Sequence, residues 1–373
     1  MKKLMVVLAM VSAGVAFADV AVTGVKVQPR SPWNGLVDIE YTVACDDPQT
    51  DVYVHPVAYD GDRRMTLFMN CLTGDGATNT VKAGKHTMTW DASKDYGVFS
   101  SANFQVKIYA GKRMPRYIKI DLSAGAEAEE YPVEMSVAGP DVSDNACRTT
   151  ELWLRLVLPG EFWMGSPEDE LGRTDNEDLH HVTLTKPFYI GVFECTQRQW
   201  ELAMGTRPSF FTNETCYATR PVDRVSCLDI RGNALGGEWP KHMMVDDGSF
   251  LGVVRAKTGN LLFDLPTDAQ WEYACRAGTA TALNSGKNLT GEMECENMNE
   301  VARYRFNSNN DTLTQVEKAN CTTQYCSAKV GSYMPNEWGI FDLHGNLWEH
   351  CLDRALPLAV GSIDPVGGND TTL

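Results

Sequence analysis

The chain has 373 residues, which at about 150 residues per domain predicts two domains. Hydrophobic residues make up 43% and charged residues 22% of the sequence, a composition typical of folded globular proteins and unlike that of disordered chains. The net charge is −16 and no basic run is longer than Lys112-Arg113, which argues against nucleic acid as a partner.

Residues 1–18 have the pattern of a Sec-type signal peptide. Lys2 and Lys3 precede an apolar run, and Ala16-Phe17-Ala18 satisfies the small-x-small cleavage rule. A membrane anchor, the alternative, requires about 20 apolar residues, and this run is shorter. We therefore expect an exported protein, periplasmic or extracellular, without a transmembrane segment.

Residues 19–125 predict an all-β domain. Segments such as 37–45 and 104–110 alternate apolar and polar residues and are rich in Val, Ile, Thr and Tyr, and turn clusters separate them. Several short strands at this spacing are typical of an immunoglobulin- or fibronectin-like sandwich. The segment holds no catalytic constellation, so we expect it to act as a spacer or as a docking surface for a protein or glycan.

Residues 126–148 are rich in Ala, Glu, Gly, Ser and Pro, and this composition predicts a linker. Residues 149–373 form a second domain in this interpretation. They are turn-rich with few long periodic segments, which indicates an irregular α/β domain held together by aromatic side chains and loops.

Capping-box sequences predict where helices of the second domain begin. Thr196 and Thr267 are each followed by a glutamine three residues later. In a capping box the side chain of each of the two residues forms a hydrogen bond with the backbone N–H of the other. Ser226 starts a weaker version. Gly205 and Gly278 predict the ends of the first two helices, because glycine adopts the left-handed conformation at helix ends.

The chain contains eleven cysteines and no Cys-x-x-Cys pair, so zinc-ribbon and thioredoxin-like readings have no support. Export would permit disulfides. Plausible bridges join Cys45 with Cys71, or Cys295 with either Cys321 or Cys326. The apolar or helical surroundings of three other cysteines favour buried free thiols: Cys195, Cys227 and Cys275.

Five segments, in this order, carry a family resemblance. They are FWMGSPEDELGR (162–173), HHVTLTKPFYIGVFECTQRQWELAMG (180–205), RPVDRVSCLDI (220–230), FDLPTDAQWEYACRAG (263–278) and VGSYMPNEWGIFDLHGNLWEHCLD (330–353). Together they resemble the formylglycine-generating (sulfatase-modifying factor) family. The resemblance implies a C-type-lectin-like architecture, so the expected fold class is α+β: an N-terminal immunoglobulin-like sandwich followed by an irregular mixed α/β domain.

The best-known members of that family oxidise a cysteine of a sulfatase to formylglycine, using oxygen and a copper ion held by two cysteines. In those oxidases the copper cysteines follow the segment that resembles 330–353, whereas this sequence ends at Leu373. We therefore expect the domain to lack its C-terminal segment, and copper to be a cofactor only if such a segment exists. The catalytic residues are left unassigned.

Single positions also depart from the family pattern. Asp264 stands where an arginine usually precedes Leu-Pro-Thr, and Cys195 stands for a valine. Cys227 and His350 each replace a tryptophan.

The resemblance implies a calcium site at Asp342, Gly345, Leu347 and Glu349, and Asn307 is assigned to a second site. Calcium takes six to eight hard oxygen ligands, and carboxylates with main-chain carbonyls on a glycine-bent loop supply several. The alternative is a plain loop in which Asp342 caps a turn, Asn346 is left-handed and Trp348 fills the core.

Other polar residues favour structural roles. Cys321 and Cys326 have the spacing of the family's copper pair but precede the calcium loop, so a disulfide or a loop thiol is the favoured reading. His180 and His181 lack the partners that a non-haem iron site needs. Glu272 and Tyr273 are adjacent on a helix and point to different sides, so they do not form an acid–base pair.

Two functions follow from these observations. The first is an exported protein with a formylglycine-generating type domain, related to the oxidation of a substrate-protein cysteine, for which a sulfatase-like protein is the expected partner. The second is a non-catalytic, calcium-stabilised lectin-like module that binds a protein or glycan.

Overall fold

A computed structural model of the chain describes residues 20–60, 63–65, 72–77, 80–95, 103–112, 115–211, 214–232, 245–259, 263–308, 326–353 and 362–366. The predicted signal peptide lies outside these residues. Within the described ranges, no helix combines the length and the apolar character that a bilayer span requires. The chain divides into two compact units, one comprising Met1–Pro115 with Thr258–Leu262 and the other Arg116–Lys257 with Phe263–Leu373.

The first unit is built from two antiparallel sheets. Its elements are β1 (Val20–Pro29), β2 (Leu36–Cys45), β3 (Tyr53–Asp60), β4 (Arg63–Met65), β5 (Leu72–Gly74), β6 (Gly84–Asp91), α1 (Ala92–Asp95) and β7 (Phe104–Gly111). One sheet has the order β1-β2-β6-β5 and the other β4-β3-β7.

The two sheets of the first unit share one apolar core. In β2 the side chains of Val37, Ile39, Tyr41 and Val43 are buried while their neighbours are not, as the alternating sequence predicts. They pack with Trp90 of β6 and with residues of β3 and β7. The mixed α+β class with many antiparallel strands is confirmed, and the immunoglobulin-like assignment of this unit stays a prediction.

The second unit contains short strands and helices separated by long loops. Its elements are β8 (Tyr117–Asp121), β9 (Val133–Ser136), α2 (Ala146–Thr149), β10 (Glu151–Val157), β11 (Gly160–Met164), β12 (His180–Leu184), β13 (Phe188–Gly191), α3 (Gln197–Met204), α4 (Cys227–Arg231), α5 (Phe250–Lys257), α6 (Asp268–Arg276), α7 (Glu296–Val301) and β14 (Ser362–Ile363). One sheet has the order β13-β10-β8-β9, and another has the order β11-β12-β14 with β14 parallel to β12.

The structure differs from the predicted linker at 126–148. This stretch contains β9 and α2, and β9 pairs with β8 in the sheet of the second unit. Tyr131 is buried, and its hydroxyl donates a hydrogen bond to the carbonyl oxygen of Leu202, 3.1 Å away. The apolar residues scattered among Ala, Glu and Gly are enough to anchor the segment, and the boundary between the units lies at Pro115.

The predicted helix starts are confirmed. Thr196, Ser226 and Thr267 each accept a hydrogen bond from the backbone of the third helical residue, whose side chain bonds back to the cap. Gly205 is left-handed (φ 69°) at the end of α3, as expected. Helix α6 ends one residue earlier than predicted, because Ala277 itself adopts the left-handed conformation (φ 47°).

Candidate carboxylate cluster and its loop

The loop from Asp342 to Glu349 folds back on itself at two left-handed residues, Asp342 (φ 64°) and Asn346 (φ 71°). Gly345 lies against the backbone of Arg303, and a Cβ atom there would be 2.2 Å from the Arg303 carbonyl oxygen. The Asn346 N–H donates to that same oxygen over 2.7 Å. Glycine is therefore required at position 345 because only a residue without a side chain permits this approach.

Glu194 fixes the loop from a distant part of the chain. It lies between β13 and α3, and its Oε2 accepts a hydrogen bond of 2.6 Å from the side-chain amide of Asn346. Its Oε1 accepts one of 3.1 Å from the Leu347 N–H. The Asn346 Oδ1 in turn accepts the Ala328 N–H at 2.7 Å. One carboxylate thus holds together segments that are some 150 residues apart in the sequence.

Asp342 is buried with one oxygen uncompensated. Its Oδ2 accepts a hydrogen bond of 2.6 Å from the Gly331 N–H. Its Oδ1 is buried and has no hydrogen-bond partner. Burial raises the pKa of Asp342 to about 6, although the Gly331 N–H and the charge of Arg148 oppose the shift.

Glu349 and Glu194 complete a cluster of three carboxyl groups. The Glu349 residue is exposed, yet the protein atoms around its carboxylate desolvate it and raise its pKa to about 7. A hydrogen bond of 2.5 Å from the Trp271 indole N–H opposes this rise, and the charge of Asp342 adds to it. Burial also raises the pKa of Glu194 well above its ordinary value, and the charges of Glu349 and Asp342 add to the effect. The cluster therefore favours either bound protons or a cation.

The chemistry of this loop fits a hard cation. Among the described residues, no hydrogen bond reaches the carbonyl oxygens of Gly345 or Leu347, so these oxygens retain free lone pairs. No group of three or more His, Cys, Asp and Glu side chains in the described ranges is arranged to hold a metal ion by itself. A cation here would need main-chain oxygens beside the orphaned Asp342 Oδ1, and such mixed oxygen sets suit calcium. Calcium at Asp342, Gly345, Leu347 and Glu349 stays a prediction.

The plain-loop alternative accounts for only part of the geometry. Asn346 is left-handed, as that alternative requires. Trp348, however, does not fill the core, because its side chain is fully exposed (101%). The preceding Leu347 N–H and the following Glu349 carboxylate both bond to protein groups, and this turns the intervening side chain outward.

Asn307 takes part in a local turn. Its Oδ1 accepts the Tyr304 N–H at 2.7 Å, and its Nδ2 donates to the Ala302 carbonyl oxygen at 2.8 Å. Its own carbonyl oxygen accepts a hydrogen bond from Arg303 Nη1 at 2.7 Å. Protein donors therefore already use the two oxygens that a second calcium site would need, and that site stays a prediction without further support.

The histidines have local structural contacts. His180 Nδ1 lies 2.7 Å from the Asp178 carbonyl oxygen, and His181 packs edge-on against Trp163. His344 Nε2 accepts the Asn284 N–H at 2.9 Å, and burial lowers its pKa to about 4, so it is neutral at physiological pH. Glu272 accepts hydrogen bonds from Gly165 N–H and Arg276, which is the scaffold role expected of it.

The cysteines differ in part from the predicted bridges. Cys45 and Cys295 are free thiols, so neither bridge proposed for them is present. Cys326 is disulfide-bonded, which removes its thiolate from any copper pair. Cys275 is a buried free thiol, and burial raises its pKa to about 12. Cys195 has a pKa of about 12 for the same reason, so both thiols are protonated and poorly reactive at neutral pH.

Three departures from the family pattern have contacts in the structure. Asp264 forms a bidentate ion pair with Arg231, with distances of 2.6 and 2.7 Å, and the Arg231 side chain is only 2% exposed. Arg255 lies 3.4 Å from the same carboxylate. Cys227 and His350, 123 residues apart, meet with 3.3 Å between Sγ and Nδ1.

Sequence reasoning missed Glu194 and Arg231. The available signal for Glu194 was a single acidic residue within the apolar run GVFEC, immediately before a helix cap. For Arg231 the signal was the acidic residue at 264 where a basic one is usual, since a buried carboxylate requires a cationic partner.

Comparisons with known proteins identify one matching family model and several similar proteins. Residues 140–362 match the family described as "Sulfatase-modifying factor enzyme 1-like domain". The chaperone protein LppX of Paenibacillus barcinonensis is 31% identical over 194 residues, which cover 46% of this chain and 63% of that protein. The formylglycine-generating enzyme of Streptomyces coelicolor is 26% identical over 275 residues, covering 65% of this chain and 81% of the enzyme. The structure of PvdO from Pseudomonas aeruginosa aligns with a TM-score of 0.42 and 22% identity, over 58% of this chain and 78% of that one.

The carboxylate cluster predicts a pH dependence of stability in the presence of a chelator. Carboxyl groups whose pKa is raised in the folded state bind protons more tightly than in the unfolded chain. Their stabilising effect is therefore complete below an ordinary carboxyl pKa of about 4 and is lost as the pH rises through about 6 and about 7. Urea unfolding with EDTA at a series of pH values should show this decline, and the double variant Asp342→Asn, Glu349→Gln should show much less of it. Equal declines in both proteins would contradict the assignment.

The buried ion pair predicts a large effect of Asp264→Ala. The substitution leaves Arg231 and Arg255 buried without their shared carboxylate, so we expect a loss of about 3–5 kcal/mol in the free energy of unfolding, measured with urea. The matched control is Asp38→Ala, which removes a similar bidentate partner from Arg30 where the two side chains are 32% and 43% exposed. That change should cost no more than about 1 kcal/mol. Equal costs would refute the burial argument.

Proposed function

Because the chain belongs to the sulfatase-modifying factor enzyme 1-like family, we propose that it is an exported protein whose family domain, stabilised by calcium, engages another protein. The observation that carries the calcium part is the cluster of Glu194, Asp342 and Glu349 with its orphaned buried oxygen. The sequence pattern of residues 1–18 supports export.

Asp342 and Glu349 would hold the ion with their carboxylates, and Gly345 and Leu347 with their carbonyl oxygens. When bound, calcium supplies two positive charges to a site crowded with acidic groups. Glu194 orients the middle of the loop through its hydrogen bonds with Asn346 and Leu347. Gly345 permits the close approach to Arg303 that bends the loop.

The first candidate activity is oxidation of a partner-protein cysteine to formylglycine, and a sulfatase-like protein is the expected substrate. It is favoured by the match that covers 81% of the formylglycine-generating enzyme of S. coelicolor. Burial raises the pKa of Cys195 and Cys275 to about 12, so at neutral pH both thiols are protonated and are poor nucleophiles. We therefore assign no catalytic residue among the buried thiols of the second unit.

The second candidate is a non-catalytic, lectin-like binding module. Two exposed indoles favour it: Trp348 on the carboxylate loop (101% exposed) and Trp163 on β11 (57% exposed). An exposed indole offers a large flat apolar surface, which is the kind of side chain that dominates contacts with proteins and stacks on ligands.

Calcium should raise the thermal stability of the chain. An ion that binds only the folded state stabilises it by about 2.7 kcal/mol when its concentration is 100 times the dissociation constant. We expect a calcium-dependent rise in Tm by calorimetry after EDTA treatment, and Asp342→Asn should abolish it. The matched control is Glu337→Gln, which removes an exposed acid of the same segment and should leave the rise unchanged. If calcium leaves the Tm of the unaltered chain unchanged, the proposed calcium site is rejected.

A direct assay separates the two candidate activities. The full chain, supplied with copper(I) and oxygen, would be incubated with cysteine-containing peptides from exported sulfatases of its host. Oxidation predicts a mass loss corresponding to replacement of CH2SH by CHO, and a serine-containing peptide is the control. Binding without any mass change, weakened by Trp348→Ala, would favour the binding module instead. Neither binding nor modification would reject both.

A further inference from the structure

The second unit contains a cavity outside the carboxylate loop. Its volume is about 390 Å³, and it lies between α3, the segment from Arg224 to Asp229, and the turn that precedes α5. None of its lining residues belongs to the loop from Asp342 to Glu349. The volume falls within the range of about 300–1,000 Å³ that small-molecule sites occupy.

One side of the cavity is apolar and held in place. Trp200 stacks on Phe250 with 4.9 Å between ring centroids and an angle of 4°, and its Nε1–H donates to the Thr206 hydroxyl. Met204 and Val225 continue this wall. Leu228 also lines the cavity and remains 60% exposed, so an apolar side chain at the opening is left uncovered. A ligand with an apolar body would cover it.

A cation lines the same cavity. Arg224 is a non-glycine residue in the left-handed region (φ 57°), a conformation that persists only where the surroundings impose it. Its guanidinium stacks over Phe210 at 4.6 Å from the ring centroid. In the described part of the chain Arg224 forms no ion pair, so its donors are available to an anionic group.

Two carboxylates also line the cavity, on Asp229 and Asp246. Asp229 Oδ2 accepts hydrogen bonds from the Ser226 N–H at 2.8 Å and from its hydroxyl at 2.6 Å, which fixes the carboxylate at the start of α4. The backbone N–H of Asp246 donates to the Arg231 carbonyl oxygen at 3.0 Å, which positions the Asp246 backbone beside α4. The negative charges of Asp229 and Asp246 would repel a simple anion, and the positive charge of Arg224 would repel a simple cation.

From this combination of one cation, two carboxylates and an apolar wall, we propose that the cavity binds a free amino acid with an apolar side chain. The ligand's carboxylate pairs with Arg224, its ammonium group lies toward Asp229, and its side chain packs on Trp200, Met204 and Leu228. This site is independent of the calcium loop and of the function proposed above.

Isothermal titration calorimetry of the full chain tests the site with three probes that share the leucine side chain and differ in their charged groups. L-Leucine carries both charges, leucinamide lacks the carboxylate and N-acetyl-L-leucine lacks the ammonium group. We expect L-leucine to bind and each blocked analogue to bind at least about tenfold more weakly, because each loses a charge-assisted contact. Equal binding of the three probes, or no L-leucine binding at about 10 mM, well above millimolar dissociation constants, would overturn the proposal.

Variants identify the residues. Arg224→Gln should weaken L-leucine binding about tenfold and remove its advantage over leucinamide, while the advantage over N-acetyl-L-leucine persists. The matched control is Arg305→Gln, which removes another exposed arginine stacked near an aromatic ring, 5.8 Å from the Phe306 centroid and outside the cavity lining. Leu228→Asn is a second variant at an exposed position and should also weaken binding. Unchanged L-leucine affinity in both Arg224→Gln and Leu228→Asn, each with an unaltered Tm, would place the ligand elsewhere.

Discussion

The paired hydrogen bonds from Asn346 and Leu347 to the carboxylate of Glu194 are the constraint on which the second unit's loops depend. This region has little regular secondary structure to hold it, so its geometry must come from side chains that reach between distant segments. Glu194 positions the loop. Asn346 also accepts a hydrogen bond from the Ala328 N–H, and Asp342 accepts one from the Gly331 N–H. The same arrangement brings three acidic groups close together. Their carboxylates repel one another, and a cation or bound protons would relieve this repulsion.

The second unit deals with its acidic groups in two opposite ways. Asp264 is neutralised within the protein by Arg231 and Arg255, so its site is complete and needs nothing from the solvent. Asp342 and Glu349 have no such guanidinium pair among the described contacts, and their pKa values rise instead. A closed ion pair leaves neither charge uncompensated inside the protein. An open acidic cluster depends on the ionic conditions outside the molecule.

Local signals in the sequence were sufficient for some elements and not for others. The helix starts at Thr196 and Thr267 could be predicted because a capping box is complete within four residues. The strands of the first unit could be predicted because alternation is also a local pattern. The helix α5 and the strand β9 in the predicted linker could not be predicted, because packing against distant segments stabilises them and no local pattern marks them. The residues of the carboxylate loop came from the family resemblance, whereas Glu194 and Arg231 required contacts that no spacing in the sequence encodes.

The full exposure of Trp348 gives the molecule a built-in optical reporter. An indole surrounded by water emits at long wavelength and is open to collisional quenchers, whereas the buried Trp90 and Trp200 are shielded from them. Trp348 immediately precedes Glu349 in the carboxylate loop. The quenchable fraction of the protein's fluorescence should therefore respond to whatever covers or reshapes that loop, whether an ion, a sugar ring or another protein.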